Sequence, residues 1–197
     1  MRETSDNFTI DFWVRFDALG DYSLYHQRVD SSNYISIYYL SNSIYFGVFT
    51  AGAWDFLCYT PTFGVVDTWY HVEITRYGVT ENDVYIFIDG ISQALTWPTY
   101  ISANYTMPNL AASLLIGQRN SDLYLNGRID EFRISNGIAR HIADFAVPTS
   151  EYQNADNLKI QRFEVNKEGE THQIKFSGNA PFEVKGYEIY VDPTDRI

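Results

Sequence analysis

From residue 8 to residue 16 apolar and polar side chains alternate without a break. Phe8, Ile10, Phe12, Val14 and Phe16 fall on one side, Thr9, Asp11, Trp13 and Arg15 on the other. Successive side chains of a strand point to opposite faces, so this period of two predicts an antiparallel strand with one face buried. The same period returns over residues 34–40, 43–49, 69–76, 84–89, 91–95, 113–118 and 127–135, and no stretch carries a helical stripe. In 69–76 the residues Tyr70, Val72 and Ile74 form the inner face, leaving His71, Glu73 and Thr75 outside. Asp89-Gly90 supplies the positive φ angles of a two-residue hairpin. Many short strands divided by turn signals predict an all-β, two-sheet antiparallel sandwich of jelly-roll type.

The chain has 197 residues, enough for one medium domain and an appendage. A sandwich of that size buries a sufficient core without disulfide staples, and the single cysteine, Cys58, is expected to be a buried bystander thiol. A formal charge of −11 with no basic cluster excludes nucleic acid, whose phosphates demand lysines and arginines. It equally opposes an anionic membrane surface, and no apolar run is long enough to span a bilayer. The N-terminus lacks the basic region and apolar core of a signal peptide. Residues 1–152 are read as the main domain, closed by a strand over 127–135, a Ser-Asn-Gly turn, one helical turn and a Pro-bearing tail. After the polar stretch 153–157, residues 156–197 are read as a small β extension with strands at 158–166, 171–177 and 181–192. The aromatic segments 50–63 and 96–108 are read as long functional loops.

The segments FTIDFWVRF, DTWYHVEITR, VYIFIDGISQA, SLLIGQR and GRIDEFRISNGIARHIADFAVPTSEY together resemble the laminin G-like, concanavalin A-like jelly-roll family. More narrowly they are similar to the form common in bacteriophage virion proteins. The resemblance covers residues 6–152 and implies two stacked sheets and a ligand-binding activity, often toward carbohydrate. The chain departs from the family by opening almost directly on Phe8, without the usual preceding strand. Either an upstream portion carries that strand or another segment takes its place; unfilled, the position leaves a sheet edge exposed, and residues 156–197 or a neighbouring subunit are the segments to fill it. The extension itself resembles the first half of a fibronectin type III sandwich.

Five aromatics in the two long segments, Trp54, Tyr59, Trp97, Tyr100 and Tyr105, are the candidate ligand-binding residues. An aromatic face stacks on the C–H face of a sugar ring. The competing reading has these rings closing the sandwich ends or packing on a neighbour. Trp13 and Trp69 lie within regular strands and are read as structural. Strict alternation places Asp130 on the face of Phe132 and Ile134, with Glu131 and Arg133 opposite. A carboxylate on an apolar face must be paired, protonated or bound to a cation. Calcium suits it, as in some relatives of the wider superfamily, and the alternative is an Asp accepting backbone hydrogen bonds. The resemblance offers no catalytic residues, since the Glu-x-Asp-x-Glu spacing of related glycoside hydrolases is absent. His26, His71, His141 and His172 show no metal-ligand spacing, and His71 is read as half-exposed. The expectation is a non-enzymatic virion module, a capsid decoration or tail fibre, partnered by other virion proteins or itself, with a trimer as one form. Binding to cell-surface carbohydrate fits that role. A carbohydrate-binding module of a secreted bacterial protein is the alternative, and a glycan-cleaving enzyme a distant third.

Overall fold

The computed structural model describes residues 7–78, 83–102, 105–120, 122–149 and 188–191. Among them run β1 (Phe8–Phe16), β2 (Tyr22–Asp30), β3 (Asn33–Leu40), β4 (Ser43–Thr50), β5 (Ala53–Tyr59) and β6 (Trp69–Arg76). Then follow β7 (Val84–Ile88), β8 (Ile91–Ser92), β9 (Thr96–Thr99), β10 (Leu114–Ile116), β11 (Gly127–Asn136) and β12 (Glu188–Val191). One sheet has the order β12-β11-β1-β6-β7-β8 and the other β10-β2-β3-β4-β5-β9. All pairings are antiparallel, and the two sheets make the all-β jelly-roll sandwich that the alternation predicts.

The inner faces supply the core. Phe12, Val14 and Phe16 of β1 with Val72, Ile74 and Ile86 are fully buried, as are Leu24, Ile37, Tyr39, Ile44, Phe46 and Phe56 of the second sheet. Each such side chain contributes about 1.5–3 kcal/mol relative to remaining in water. Rings bridge the layers: Phe16 stacks on Tyr39 at 4.1 Å, Phe8 meets Phe46 edge-on at 6.0 Å, and Tyr25 stacks on Phe132 at 6.5 Å. Cys58 lies in this core, and burial pushes its thiol pKa well up, so the thiol is inert.

Three strands depart from the expectation. β2 escapes period-two reading because its ladder shifts between Ser23 and Tyr25 and again between Arg28 and Asp30. The segment expected as a loop over 50–63 is instead a hairpin: Ala51 and Gly52 take φ of 50° and 82°, and the chain returns as β5. Part of the second expected loop, 96–99, becomes the edge strand β9 beside β5.

The helical turn expected after Gly137 is also absent. Residues 138–148 run as an irregular strap across the outside of the first sheet. Phe145 N–H donates to the Gly90 carbonyl at 2.9 Å, and Ser92 N–H to Asp144 Oδ1 at 2.8 Å. Thr9 Oγ1 donates to the Ile138 carbonyl at 2.9 Å and accepts from Arg140 N–H at 3.0 Å. Beneath the strap His71, Glu73 and Thr75, expected outside, are buried. There Glu73 accepts from Thr75 Oγ1 at 2.8 Å and meets His141 Nδ1 at 2.9 Å, so its carboxylate is satisfied by protein groups. Asp11 is fully buried in the same layer and takes two hydrogen bonds from the Arg133 guanidinium, one through Nε at 2.9 Å and one through Nη2.

β12 pairs with the outer edge of β11, from Phe132↔Val191 to Ser135↔Glu188. The remainder of the expected strand at 181–192, and those at 158–166 and 171–177, lie outside the described residues.

Candidate functional site

The outward face of the second sheet carries the features of a binding surface. Alternation on β3 sends Ile35, Ile37 and Tyr39 to the core, leaving Tyr34, Ser36 and Tyr38 on the opposite side. The registers Tyr34↔Phe49, Ser36↔Gly47 and Tyr38↔Tyr45 continue that face onto β4, and Phe49↔Trp54, Gly47↔Leu57 and Tyr45↔Tyr59 onto β5. The result is a half-exposed aromatic strip. Tyr34 stacks on Phe49 at 4.9 Å, Trp54 stands edge-on to Tyr34 at 5.7 Å and to Phe49 at 5.1 Å, and Tyr45 stacks on Tyr59 at 4.6 Å. Gly47 lies at its centre for a steric reason: a Cβ there would stand 2.7 Å from Trp54 Cζ3 and 2.9 Å from Leu57 Cδ1.

At the β2–β3 end the strip opens into a polar cleft of about 320 Å³, lined in part by His26, Arg28, Tyr34, Tyr38, Arg119 and Asp122. Arg119 and Asp122 flank a tight turn whose backbone bonds run both ways, at 2.9 and 2.7 Å. Their side chains pair bidentately, Nε to Oδ1 at 2.8 Å and Nη2 to Oδ2 at 2.6 Å. The pairing holds the Asp122 carboxyl below its usual range, and the Arg119 guanidinium lies 6.0 Å from the Tyr38 ring centre. His26 forms the floor. Its Nδ1 lies 2.6 Å from Ser36 Oγ, and Ser36 in turn donates to Tyr38 Oη at 2.9 Å. His26 is 1% exposed, and its Nε2 meets no hydrogen-bonding group among the described residues. Burial first, and then the charges of Arg119 and Arg28, lower its pKa to about 4, so the ring is neutral at pH 7. A buried polar atom left unpaired costs about 1–3 kcal/mol, which makes this one the chemical focus of the cleft.

Of the five aromatics expected to bind ligand, Trp54 and Tyr59 lie on this face, though on a strand rather than a loop. The other three do not join them. Trp97 packs against the core and stacks on the exposed Tyr100 at 6.1 Å. Tyr105 also packs on the core, its Oη donating to Asp55 at 2.8 Å and its ring 5.6 Å from the Arg76 guanidinium. Of the two strand tryptophans, Trp13 meets His71 edge-on at 5.3 Å under the strap, while Trp69 is exposed.

Asp130 is not on the apolar face. Glu131 takes φ of 48°, and the β1–β11 ladder shifts between Asp11 and Trp13. This bulge resets the alternation, so Asp130 opposes Trp13, Phe132 still packs on Phe12 at 5.4 Å, and Arg133 opposes Asp11. Asp130 Oδ1 accepts the Glu131 N–H at 2.8 Å. Among the described residues no group of three His, Cys, Asp or Glu could hold a metal ion.

His26, Arg28, Tyr34, Tyr38, Arg119 and Asp122 were not candidates from sequence. The one signal for them was Tyr34 and Tyr38 on the outward side of a predicted strand. The Arg119 turn and the unrecognised β2 hid the rest.

A family model for the concanavalin A-like lectin/glucanases superfamily matches residues 2–140. Among solved structures the chain is similar to domain 4 of an extracellular arabinanase from Geobacillus stearothermophilus, in complex with arabinotriose. It shares 17% identity over 68% of this chain and 62% of that one, with a TM-score of 0.47. Domains LG4-5 of the mouse laminin alpha1 chain match at 13% identity over 68% of this chain and 37% of that one, TM-score 0.48. A heptameric SAP-like pentraxin from Limulus polyphemus matches at 14% identity over 66% and 64%, TM-score 0.44. In each case less than two thirds of the other chain is spanned. No curated protein matches the chain.

Proposed function

Since the chain belongs to the concanavalin A-like lectin/glucanase superfamily, we propose that it is a non-catalytic glycan-binding module whose binding surface is the outward face of the second sheet. The observation that carries this is the strip of Tyr34, Phe49, Trp54, Tyr45 and Tyr59 running into a polar cleft. Half-exposed rings offer flat faces to the C–H side of sugars, and the cleft offers directional hydrogen bonds to hydroxyls. Hydrolysis of a glycosidic bond needs two carboxyl groups flanking the bond. Among the described residues Asp122 is the one carboxylate lining the cleft, and Arg119 holds it ionised in a bidentate pair. That favours binding without cleavage.

The resemblance of residues 6–152 to bacteriophage virion domains supports a location on a capsid or tail, where such a module recognises a host surface. Electron density from an intact particle would test that setting.

A glycan array probed with the full chain tests the binding. Trp54→Ala and Tyr59→Ala are expected to weaken the best ligand about tenfold or more each, whereas Tyr100→Ala leaves it unchanged. Silence across the array, or turnover of any bound polysaccharide, would overturn the proposal.

A further inference from the structure

The hydrogen bonds within the cleft determine what its floor accepts. Ser36 has one hydroxyl proton, and it goes to Tyr38 Oη. His26 Nδ1 lies 2.6 Å from Ser36 Oγ and 3.3 Å from Tyr38 Oη, and the shorter contact, with the Ser36 proton already used, assigns the ring as its donor. A neutral imidazole that donates through Nδ1 has a bare lone pair at Nε2. That atom, buried and without a partner among the described residues, calls for an O–H or N–H donor from a ligand.

Arg28 is two residues along β2 on the same outward face, opposite Tyr34. Its side chain forms no ion pair among the described residues. Asp30, further along, accepts instead from Ser32 N–H and Asn33 Nδ2 in the hairpin turn. With Arg119 and Asp122 neutralising each other, the charged lining of the cleft (Arg28, Arg119, Asp122) sums to +1. The chain around it carries −11. A single uncommitted guanidinium in so acidic a molecule suits a ligand with one negative charge better than a phosphate near −2. The guanidinium fork also matches the two oxygens of a carboxylate.

We propose that the cleft selects an acidic saccharide, with its carboxylate on Arg28, a hydroxyl donated to His26 Nε2 and a sugar ring against Tyr34. This inference rests on the glycan-binding reading and names the class of glycan. Tyr34 also belongs to the aromatic strip, so the acidic residue of a longer oligosaccharide would be anchored here while its neighbours lie over Trp54.

Calorimetric titration of the full chain with matched pairs tests it: oligoglucuronate against cello-oligosaccharide, oligogalacturonate against oligogalactan, sialylated against desialylated lactose, and a sulfated oligosaccharide. At least one carboxylated member is expected to bind about tenfold tighter than its neutral partner at low salt, with the advantage shrinking toward about 0.5 M salt. Arg28→Gln is expected to remove that advantage, bringing the carboxylated ligand down to the affinity of its neutral partner, and Arg28→Lys to restore part of it. His26→Phe should weaken acidic and neutral ligands alike; if that variant does not fold, Arg28→Gln decides alone, because Arg28 lies on the surface face. Equal binding within every pair, an advantage that survives Arg28→Gln, or sulfate serving as well as carboxylate would each overturn the inference and leave the glycan-binding proposal standing. Failure of every saccharide to bind would remove both.

Discussion

Asp11 and Arg133 show what a single buried residue can cost. Burial pushes the Asp11 carboxyl up, against the downward pull of the Arg133 hydrogen bonds and charge. Removing Asp11 leaves the buried Arg133 guanidinium without its bidentate carboxylate. Asp11→Ala is therefore expected to destabilise the chain by about 3–5 kcal/mol in urea unfolding, whereas Asp11→Leu combined with Arg133→Met should recover most of that loss. Two neutral histidines add a pH dependence. His26 and His71 are each lowered to about 4, chiefly by burial. Unfolded, each titrates near 6.5, so between 6.5 and 4 the unfolded chain binds more protons than the folded one. Their contribution is complete above pH 6.5 and drains away as pH falls toward 4; the raised Asp11 works in the opposite sense at the acid end. The urea midpoint is expected to drop clearly between pH 7 and pH 4.5, and His71→Gln should flatten that slope.

Among the elements, the strap of residues 138–148 is held at its far end by the β7–β8 hairpin. Gly90 has φ of +77°, and a Cβ there would fall on the Phe145 carbonyl oxygen. Gly52 has nearly the same angle, +82°, with no atom within 4 Å of its Cβ position. Both glycines carry the same backbone penalty on substitution, so the difference isolates the strap. Gly52→Ala is expected to cost about 1 kcal/mol, and Gly90→Ala about 1–3 kcal/mol more, with faster hydrogen exchange at the Phe145 amide only in the second. The strap also marks where alternation stops being informative. Period two names the inward residues of β1, β3, β4, β6 and β7, and those positions make the core. It cannot distinguish an outward residue in water from one under a covering segment, so Glu73 and Thr75 read as exposed. Nor can it foresee an inserted residue. Asp55 lies in such an insertion, where Val48 opposes Phe56 and Phe49 opposes Trp54, and Glu131 marks another. Each shift of one residue exchanges the faces beyond it, which misplaced Asp130. The cleft was hidden for a different reason: it joins β2 and β3 to a turn some 90 residues later, and only the fold brings Arg119 to Tyr38.

At the scale of the whole molecule the question is how the first sheet ends. On one side β8 is two residues long and followed by the strap contacts to Gly90 and Ser92, which blunt that edge. On the other, β11 would present an unpaired ladder ten residues long, and β12 covers four of them, Phe132 to Ser135. The covering strand comes from a segment far along the chain, so its absence would leave the rest of the sandwich intact, with the edge bare. Deleting residues 188–197 is therefore expected to keep the far-ultraviolet strand signal and cooperative unfolding while producing concentration-dependent dimers in sedimentation velocity, as two bare β11 edges pair. A charge on that edge, Ile134→Lys in the truncated chain, would also disturb the core, because Ile134 faces inward beside Ile10. Asn136→Pro is the cleaner control: the Gly137 N–H bonds to Asn7 beside β1, so the N–H of the exposed Asn136 faces the open edge, and its removal should lower the dimer fraction without adding charge. A truncated chain that stays monomeric at every concentration would mean that the twist of β11 alone protects the edge, and that β12 serves some end other than closing the sheet.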